Sequence, residues 1–262
     1  MAAETKQNVG AEINEYISHH VLMNNTEWHL PFLPPIHLPS WLPMHGLMVV
    51  LAGVILLLAF TLGYKRGAPV QKRLGNLLEV FVLFIRDNIA IPNIGEHDGK
   101  KMTPLLCTFF FFILTLNLLG QIPLFACATG NVNVTMALAG ITLSFMVVGT
   151  IIKNGPVGFI KAFIPHGVPW PVLILLVPIE FAGMFIKAAA LMIRLFANMM
   201  AGHIVVLALL SLCIAIKMWV AVLAVPLGIG IGLLEVFVCF LQAYIFTLLS
   251  AMFIGQMYHP AH

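Results

Sequence analysis

The chain has 262 residues, of which 61% are apolar and 9% are charged. Its 13 basic and 10 acidic residues compare with roughly 65 charged residues in a soluble protein of this length. With a mean hydropathy of +1.02, the chain is too apolar for a water-soluble globule or a disordered chain. The net charge of +3 gives no reason to expect nucleic-acid binding. The composition predicts an integral membrane protein with several spans.

The N-terminal third begins with a polar segment and continues into the first apolar run. Residues 1–43 are polar and then rich in proline and aromatic residues, and we expect them to form an external N-terminal segment. The first predicted span, 44–64, ends at Lys65 and Arg66. Residues 70–91 carry charges among their apolar positions, so they predict an amphipathic helix that lies on the membrane surface.

Two ordinary spans follow the amphipathic segment. Residues 103–122 predict the first, which Pro123 ends. Residues 134–152 predict the second, and we expect Lys153, Gly155 and Pro156 to stop it.

Two apolar stretches of unusual length, 171–216 and 218–257, complete the predicted membrane domain of residues 44–262. A perpendicular span needs only about 20 residues. A break at Arg194 would leave one span of marginal length, and the surrounding LMIRLFANMMAGHIV contains no proline and one glycine for a turn. We therefore expect two long helices joined near Lys217. The predicted fold is all-α, with five membrane-inserted helices, one amphipathic surface helix and a long, strongly tilted C-terminal hairpin.

Basic residues in the predicted loops are distributed unequally, and this asymmetry predicts the orientation. Only Lys6 and Lys217 fall on one side of the membrane. The other side receives Lys65, Arg66, Lys72, Arg73, Arg86, Lys100, Lys101, Lys153 and Lys161. The N-terminus is therefore expected outside and the C-terminus in the cytoplasm.

Three ionisable residues interrupt the first long stretch at intervals of seven. Glu180, Lys187 and Arg194 share one helical face within about 40°, and a charge in a membrane is costly enough to indicate a function. Small residues lie near Arg194 on the helical wheel: Gly183, Ala190, Ala197, Ala201 and Ala208. We infer that Arg194 faces a partner helix. Mutual pairing is the alternative, but seven residues correspond to about 10.5 Å of rise.

The second long stretch carries polar residues in a matching register. In an antiparallel hairpin, the residue numbers of two facing residues add up to a nearly constant sum. This sum is 436 for Arg194 with Gln242 and 438 for His203 with Glu235, so the two pairs fit one register. His203 with Glu235 is a candidate for proton transfer, because histidine titrates near neutrality and burial raises the pKa of a carboxyl group. A histidine bonded to a carbonyl is the structural alternative.

Four segments resemble a known family. RLFANMMAGHIV and EVFVCFLQAYIF resemble the hallmark regions of subunit a of the F-type ATP synthase membrane sector, and GKKMTPLLCTFFFFILTLNLLGQIP and NVNVTMAL resemble its middle part. The similarity covers roughly residues 44–257. It implies a non-catalytic stator subunit without cofactor or metal, in the bacterial plasma (inner) membrane. The implied partners are a ring of c-subunits, the b-subunits of the peripheral stalk and the rest of the complex.

The resemblance also implies roles for single residues. Arg194 matches the essential arginine that faces the ring carboxylates, with Asn198 and Gln242 as its polar neighbours. Glu180 matches an acid near the cytoplasmic half-channel. Lys187 lies outside the matching motifs and has no implied role.

The outer half-channel is expected at His203 and Glu235, where some members of the family carry the reverse pair. Many members have an acid where this chain has Asn131. The resemblance therefore does not assign an acidic entrance to the outer half-channel at this position. Three other functions compete: a sodium-translocating version of the same subunit, a stand-alone secondary transporter and a structural scaffold. No internal repeat supports the transporter.

Overall fold

The computed structural model of the chain describes residues 27–28, 36–37, 39, 43–63, 73–122, 125–164, 169–215 and 218–259. Most of the expected external segment and the expected join at Lys217 lie outside these residues. Near the N-terminus, strand β1 (Glu27–Trp28) pairs with strand β2 (Ile36–His37) in antiparallel register. All other regular structure in the described part of the chain is helical, which confirms the all-α class.

Helices follow the two short strands along the rest of the described chain. They begin with α1 (Met44–Gly63), α2 (Arg73–Ile85), a π-helical turn (Arg86–Ala90), α3 (Ile91–Ile94) and α4 (Glu96–Gly120). A 3₁₀ turn (Ala128–Gly130), α5 (Val132–Ser144), a second π-helical turn (Phe145–Gly149) and α6 (Thr150–Lys161) follow. The chain continues with α7 (Trp170–Ala215) and α8 (Met218–Tyr258).

Five helical segments among the described residues are long and apolar enough to cross a membrane. They are Met44–Gly63, Glu96–Gly120, Val132–Lys161, Pro171–Val206 and Pro226–Tyr258. This number confirms the five expected membrane-inserted helices. The 13-residue α2 is shorter than a span and leaves Glu79 exposed. The tilt of the last two helices and the orientation of the termini stay predictions.

Gly155 and Pro156, which are expected to stop the third span, lie inside α6. The helical segment continues to Lys161 and changes direction at Gly155, which has a φ of 73°. Glycine adopts this left-handed conformation without a steric penalty, and Pro156 supplies a favourable first residue for the turn that follows. The two residues therefore produce a kink and a new helical start. The helix thus breaks at the two residues that are expected to stop the span, and a second helical stretch continues to Lys161.

The two C-terminal helices have the unusual length that the sequence predicts. α7 has 46 residues and α8 has 41, and α7 continues through Arg194 without interruption. Pro178 and Pro226 lie inside these helices but do not end them. The expectation of two long helices in place of a break at Arg194 is confirmed.

The chain divides into two compact units, and each contains parts of several helices. The first unit comprises Met1–Val54, Ile113–Val134 and Leu195–Gln242. The second comprises Ile55–Phe112, Thr135–Arg194 and Ala243–His262.

The core of each unit is built from side chains of different helices. In the first unit, Cys127 and Met199 form a buried cluster with Cys239. In the second, the rings of Phe109 and Phe246 meet edge to face with centroids 5.6 Å apart. Both clusters join α8 to segments more than 100 residues earlier in the sequence, which fixes its position within each unit.

Candidate functional site

Arg194 occupies an exposed position on α7 within a segment long enough to span a membrane. Its guanidinium makes no hydrogen bond or ion pair with any residue in the described part of the chain. Ala190, one turn earlier on the same helix, is also exposed. An unpaired cation with small neighbours, on an otherwise apolar helix, needs a partner outside this polypeptide or contact with water.

The other two ionisable residues of this helical face behave differently from each other. Glu180 is exposed. Lys187 turns towards α8, where its ammonium donates a hydrogen bond of 2.9 Å to the side-chain oxygen of Gln256 and lies 5.6 Å from the ring centroid of Phe253. The mutual pairing of Glu180, Lys187 and Arg194 is therefore absent from the structure. Lys187, which has no implied role, holds α7 against α8 within the second unit.

Gly202 and Glu235 establish the register of α7 and α8 in the first unit. A Cβ atom at Gly202 would overlap the Glu235 carboxylate and lie 2.8 Å from its Cδ. The numbers of these two residues add up to 437, between the sums used to predict the register. His203 follows Gly202 on α7, so it begins one residue away from this contact with Glu235. The pairing of His203 with Glu235 for proton transfer stays a prediction.

Three predicted site residues of the first unit have buried polar atoms without a hydrogen-bond partner among the described residues. These atoms are Nε2 of His203, Oε1 of Glu235 and Nε2 of Gln242. Buried polar atoms are nearly always satisfied in folded proteins, so these atoms need partners outside the polypeptide, such as bound water. The carbonyl-bonded histidine considered as the alternative is not found among the described contacts.

Two further polar residues of this unit were missed in the sequence. Asn117 on α4 is fully buried, and neither atom of its amide has a partner in the part of the chain that is described. Gln121, four residues later, donates from Nε2 to the Cys239 sulfur at 3.7 Å. An asparagine inside the apolar run FFFFILTLNLLG was a usable signal, because an amide is costly in a membrane. Gln121 gave a weaker signal, since it lies one residue before the end of the predicted span 103–122, where polar residues are common.

Two cysteines of the first unit, Cys127 and Cys239, are buried and pack in its core. Burial raises the pKa of the Cys127 thiol to about 11, and the nearby Glu235 charge acts in the same direction. The thiol therefore stays protonated at neutral pH. Cys107, Cys127 and Cys239 are free cysteines. Within the described residues, no three side chains of His, Cys, Asp or Glu are placed to hold a metal ion.

Asn131 has a structural position at the beginning of α5. Its side-chain oxygen accepts a hydrogen bond of 2.9 Å from the backbone N–H of Asn133, which is the geometry of a helix N-cap. Asn198 is half-buried on α7 in the first unit. Arg194 belongs to the second unit and Gln242 to the first, and the predicted approach of Arg194 to Asn198 and Gln242 stays a prediction.

Comparisons with known proteins agree with these features. The family model described as ATP synthase A chain matches residues 46–255. A protein named ATP synthase subunit a, from Anaeromyxobacter sp. (strain Fw109-5), is 44% identical over 223 residues, covering 83% of this chain and 55% of that relative. ATP synthase subunit a 2 of Chlorobaculum tepidum is 42% identical over 258 residues, covering 92% of this chain and 72% of the relative. The chain spans about half the length of the Anaeromyxobacter relatives it matches. A family match over most of the chain shows that it belongs to the ATP synthase A chain family.

Proposed function

We propose that this chain is the stator subunit a of an F-type ATP synthase membrane sector. In this role it provides two proton half-channels and the arginine that couples proton transfer to rotation of a c-subunit ring. The exposed Arg194 carries the proposal, because it makes no hydrogen bond or ion pair within the described chain. A ring carboxylate that passes Arg194 would supply the missing counter-charge.

The outer path is proposed at the buried polar residues of the first unit. A proton enters at His203 and Glu235 and neutralises a ring carboxylate, which can then move into lipid. Asn117, Gln121 and Gln242 line the same path. The buried amides of Asn117 and Gln242 support this role, because they can hydrogen-bond to waters that carry a proton.

The inner path is proposed near Glu180 on the cytoplasmic side. After almost a full turn of the ring, the carboxyl group releases its proton into this path. The Arg194 side chain ends in a guanidinium, a group that is effectively always charged in proteins. It attracts the ionised carboxylate and repels protons, so a proton crosses the membrane only when the ring turns. Each charge that crosses 100 mV supplies about 2.3 kcal/mol, and several crossings are therefore needed for each ATP.

The proposed setting follows from the same role. The chain is a multi-pass protein of the bacterial plasma (inner) membrane, with its N-terminus outside and its C-terminus in the cytoplasm. It binds the c-ring through the Arg194 face and the b-subunits of the peripheral stalk elsewhere. ATP chemistry belongs to other subunits, so the chain is not an enzyme by itself. Glu180, Ala190 and Arg194 are exposed in the isolated chain, which supports a partner on this face.

The replacement of Arg194 tests the proposal. In inverted vesicles that contain the assembled complex, Arg194→Ala should abolish ATP-driven acidification, measured with a pH-sensitive dye. Arg194→Lys should also fail, because lysine is shorter and loses its proton more readily when desolvated. The amount of chain that co-purifies with the complex should stay near normal.

Arg86→Ala is the matched control, since Arg86 is an arginine outside the five span candidates and pairs with its neighbour Asp87 at 2.8 Å. This variant should pump normally. Normal acidification by Arg194→Ala would refute the proposed role.

A further inference from the structure

A cavity of about 490 Å³ lies in the second unit, apart from the residues proposed to carry protons. The beginning of α4, the second π-helical turn and the end of α8 enclose it. Apolar side chains form most of its wall, among them Phe145, Val148 and Ile152. Val148 and Ile152 are 53% and 80% exposed, although both are large apolar residues. The cavity is therefore an open apolar pocket on the outer surface of this unit.

The shape of the cavity depends on the π-helical turn Phe145–Gly149. A π turn widens the helix and is common at functional sites. Gly149, its last residue, has no side chain, and the ring of Tyr258 lies against it. A Cβ atom at Gly149 would lie 3.0 Å from the Tyr258 Cζ and overlap the phenolic oxygen. This close approach keeps the ring in the wall of the cavity, where tyrosine is typical of the level of the lipid headgroups.

Three charged side chains lie at the mouth of the cavity, and one of them, Lys101, has no ionic partner among the described residues. Asp98 and Lys153, which both line the cavity, form a salt bridge with each other. Lys101 also lines it, is exposed, and has no hydrogen-bond or ionic partner among the residues described. Two lysines and one aspartate give the cavity one net positive charge, carried by the unpaired Lys101.

Lys101 also lies at a defined level relative to the apolar part of α4. It comes immediately before the run that begins at Met102 and continues through PLLCTFFFFILTL. A cation at this position marks the membrane interface, whichever side faces the cytoplasm. The cavity thus combines an interfacial cation with an adjoining apolar wall, which is the pattern that an amphiphile with an anionic headgroup would fit.

We propose that this cavity binds one anionic phospholipid. The phosphodiester contacts the Lys101 ammonium, and an acyl chain lies against Phe145, Val148 and Ile152. A free phosphate would leave the apolar wall unoccupied, and a zwitterionic lipid would bring a second cation close to Lys101. Charge complementarity and the apolar wall together therefore select a lipid with net negative charge.

A second cavity in the same unit provides an internal comparison. It has a volume of about 530 Å³ and is also mostly apolar, with Arg86 and Lys100 at its edge. Both cations already have acidic partners, because Arg86 pairs with Asp87 and Lys100 with Glu96 at 2.8 Å each. It has no unpaired cation, so we expect this cavity to take lipid without preference for headgroup charge.

Native mass spectrometry of the purified full-length chain in detergent tests the proposal. Phosphatidylglycerol should bind more tightly than phosphatidylcholine with the same acyl chains, and inorganic phosphate should not compete. Lys101→Gln should weaken phosphatidylglycerol binding about fivefold, the loss expected for one interfacial lysine. Val148→Trp should fill the apolar wall and displace the lipid while Lys101 remains.

Lys161→Gln is the charge-matched control, because Lys161 is exposed at the end of α6 and does not line the cavity. It should bind the lipid normally. Equal affinity for the two lipids, or unchanged binding by Lys101→Gln, would overturn the proposal. So would retention of the lipid by Val148→Trp. If the assembled complex lacks the lipid that the isolated chain binds, another subunit covers the cavity and the proposal is wrong.

Discussion

At Gly202, the absence of a side chain gives the Glu235 carboxylate its space. A Cβ atom would lie 2.8 Å from the Glu235 Cδ and overlap its Oε1. Glu235 is also 9% exposed, so its carboxylate has little room to move towards solvent. The position of the Glu235 carboxylate, the proposed proton carrier, therefore depends on Gly202, which has no side chain.

Gly202→Ala separates this steric effect from helix propensity. Alanine favours a helix over glycine by about 1 kcal/mol, but overpacking a buried site costs about 1–3 kcal/mol. We expect the variant to assemble and to pump protons at a clearly lower rate per ATP hydrolysed, because the Glu235 carboxylate moves away from its native position. The measurement is the rate of vesicle acidification divided by the ATPase rate.

Gly230→Ala is the control for this substitution. Gly230 lies on α8, and a Cβ atom there would meet nothing within 4 Å. The control should therefore gain helix propensity without a clash and pump as the native chain does. If both variants pump equally well, the close contact of Gly202 with Glu235 has no functional role.

Single residues differ in how far the sequence predicts them. The register of α7 and α8 near Glu235 followed from a constant sum of residue numbers, because two long antiparallel helices leave few alternative registers. Asn131 was treated as a missing acid, and its position as the N-cap of α5 requires knowledge of where the helix begins. The contact of Gln121 with Cys239 joins residues 118 positions apart, and no local pattern reports such a contact.

At the scale of elements, length was the most informative property. The absence of turn residues around Arg194 predicts an unbroken helix, and α7 has the 46 residues that this requires. The pair Gly155–Pro156 correctly predicts a break in the helix, where Gly155 has a φ of 73°. The sequence does not show that a second helical stretch begins directly after it, because the same residues end a helix or begin a new one.

A cluster around Lys153 fixes the end of α8 to two other elements. The Lys153 ammonium pairs with Asp98 at the beginning of α4. It is also within hydrogen-bond distance of the Tyr258 carbonyl and of Nε2 of His259, at 3.4 and 2.9 Å. The side chains of Asp98 and Lys153 are only 20% and 25% exposed. If the Lys153 ammonium is removed, the partly buried Asp98 carboxylate loses its partner.

Lys153→Met should consequently destabilise the protein more than an equivalent change at the surface. Loss of a partner from a charged hydrogen-bonded group costs about 1–3 kcal/mol. Lys100→Met is the comparison, because Lys100 pairs with Glu96 in a bridge whose side chains are 56% and 77% exposed, and exposed pairs contribute little. Thermal unfolding of the detergent-solubilised chain should show a lower midpoint for Lys153→Met alone. Equal midpoints would show that the cluster does not stabilise the helix ends.

At the scale of the whole molecule, composition predicts the membrane class, and the lengths of the apolar runs predict the number of spans. They do not predict the two compact units, each of which combines three separate stretches of sequence. This division depends on side-chain contacts between helices that are distant in the chain. For the same reason, the cavity beside Lys101 could not be predicted from the sequence.

The transported ion can be argued from the residues of the first unit. Sodium is a hard cation and prefers several oxygen ligands, whereas His203 offers an imidazole nitrogen, which is a common proton carrier in proteins. The buried Nε2 of His203 and Oε1 of Glu235 lack partners in the described chain, as expected for groups that exchange protons. ATP-driven acidification of vesicles should therefore be the same with and without sodium.

The paired exchange of His203→Glu with Glu235→His should retain more pumping than either substitution alone, since it keeps one imidazole and one carboxyl group in the path. Acidification that falls when sodium is added, or a paired variant as inactive as the single ones, would contradict a proton path through these two residues.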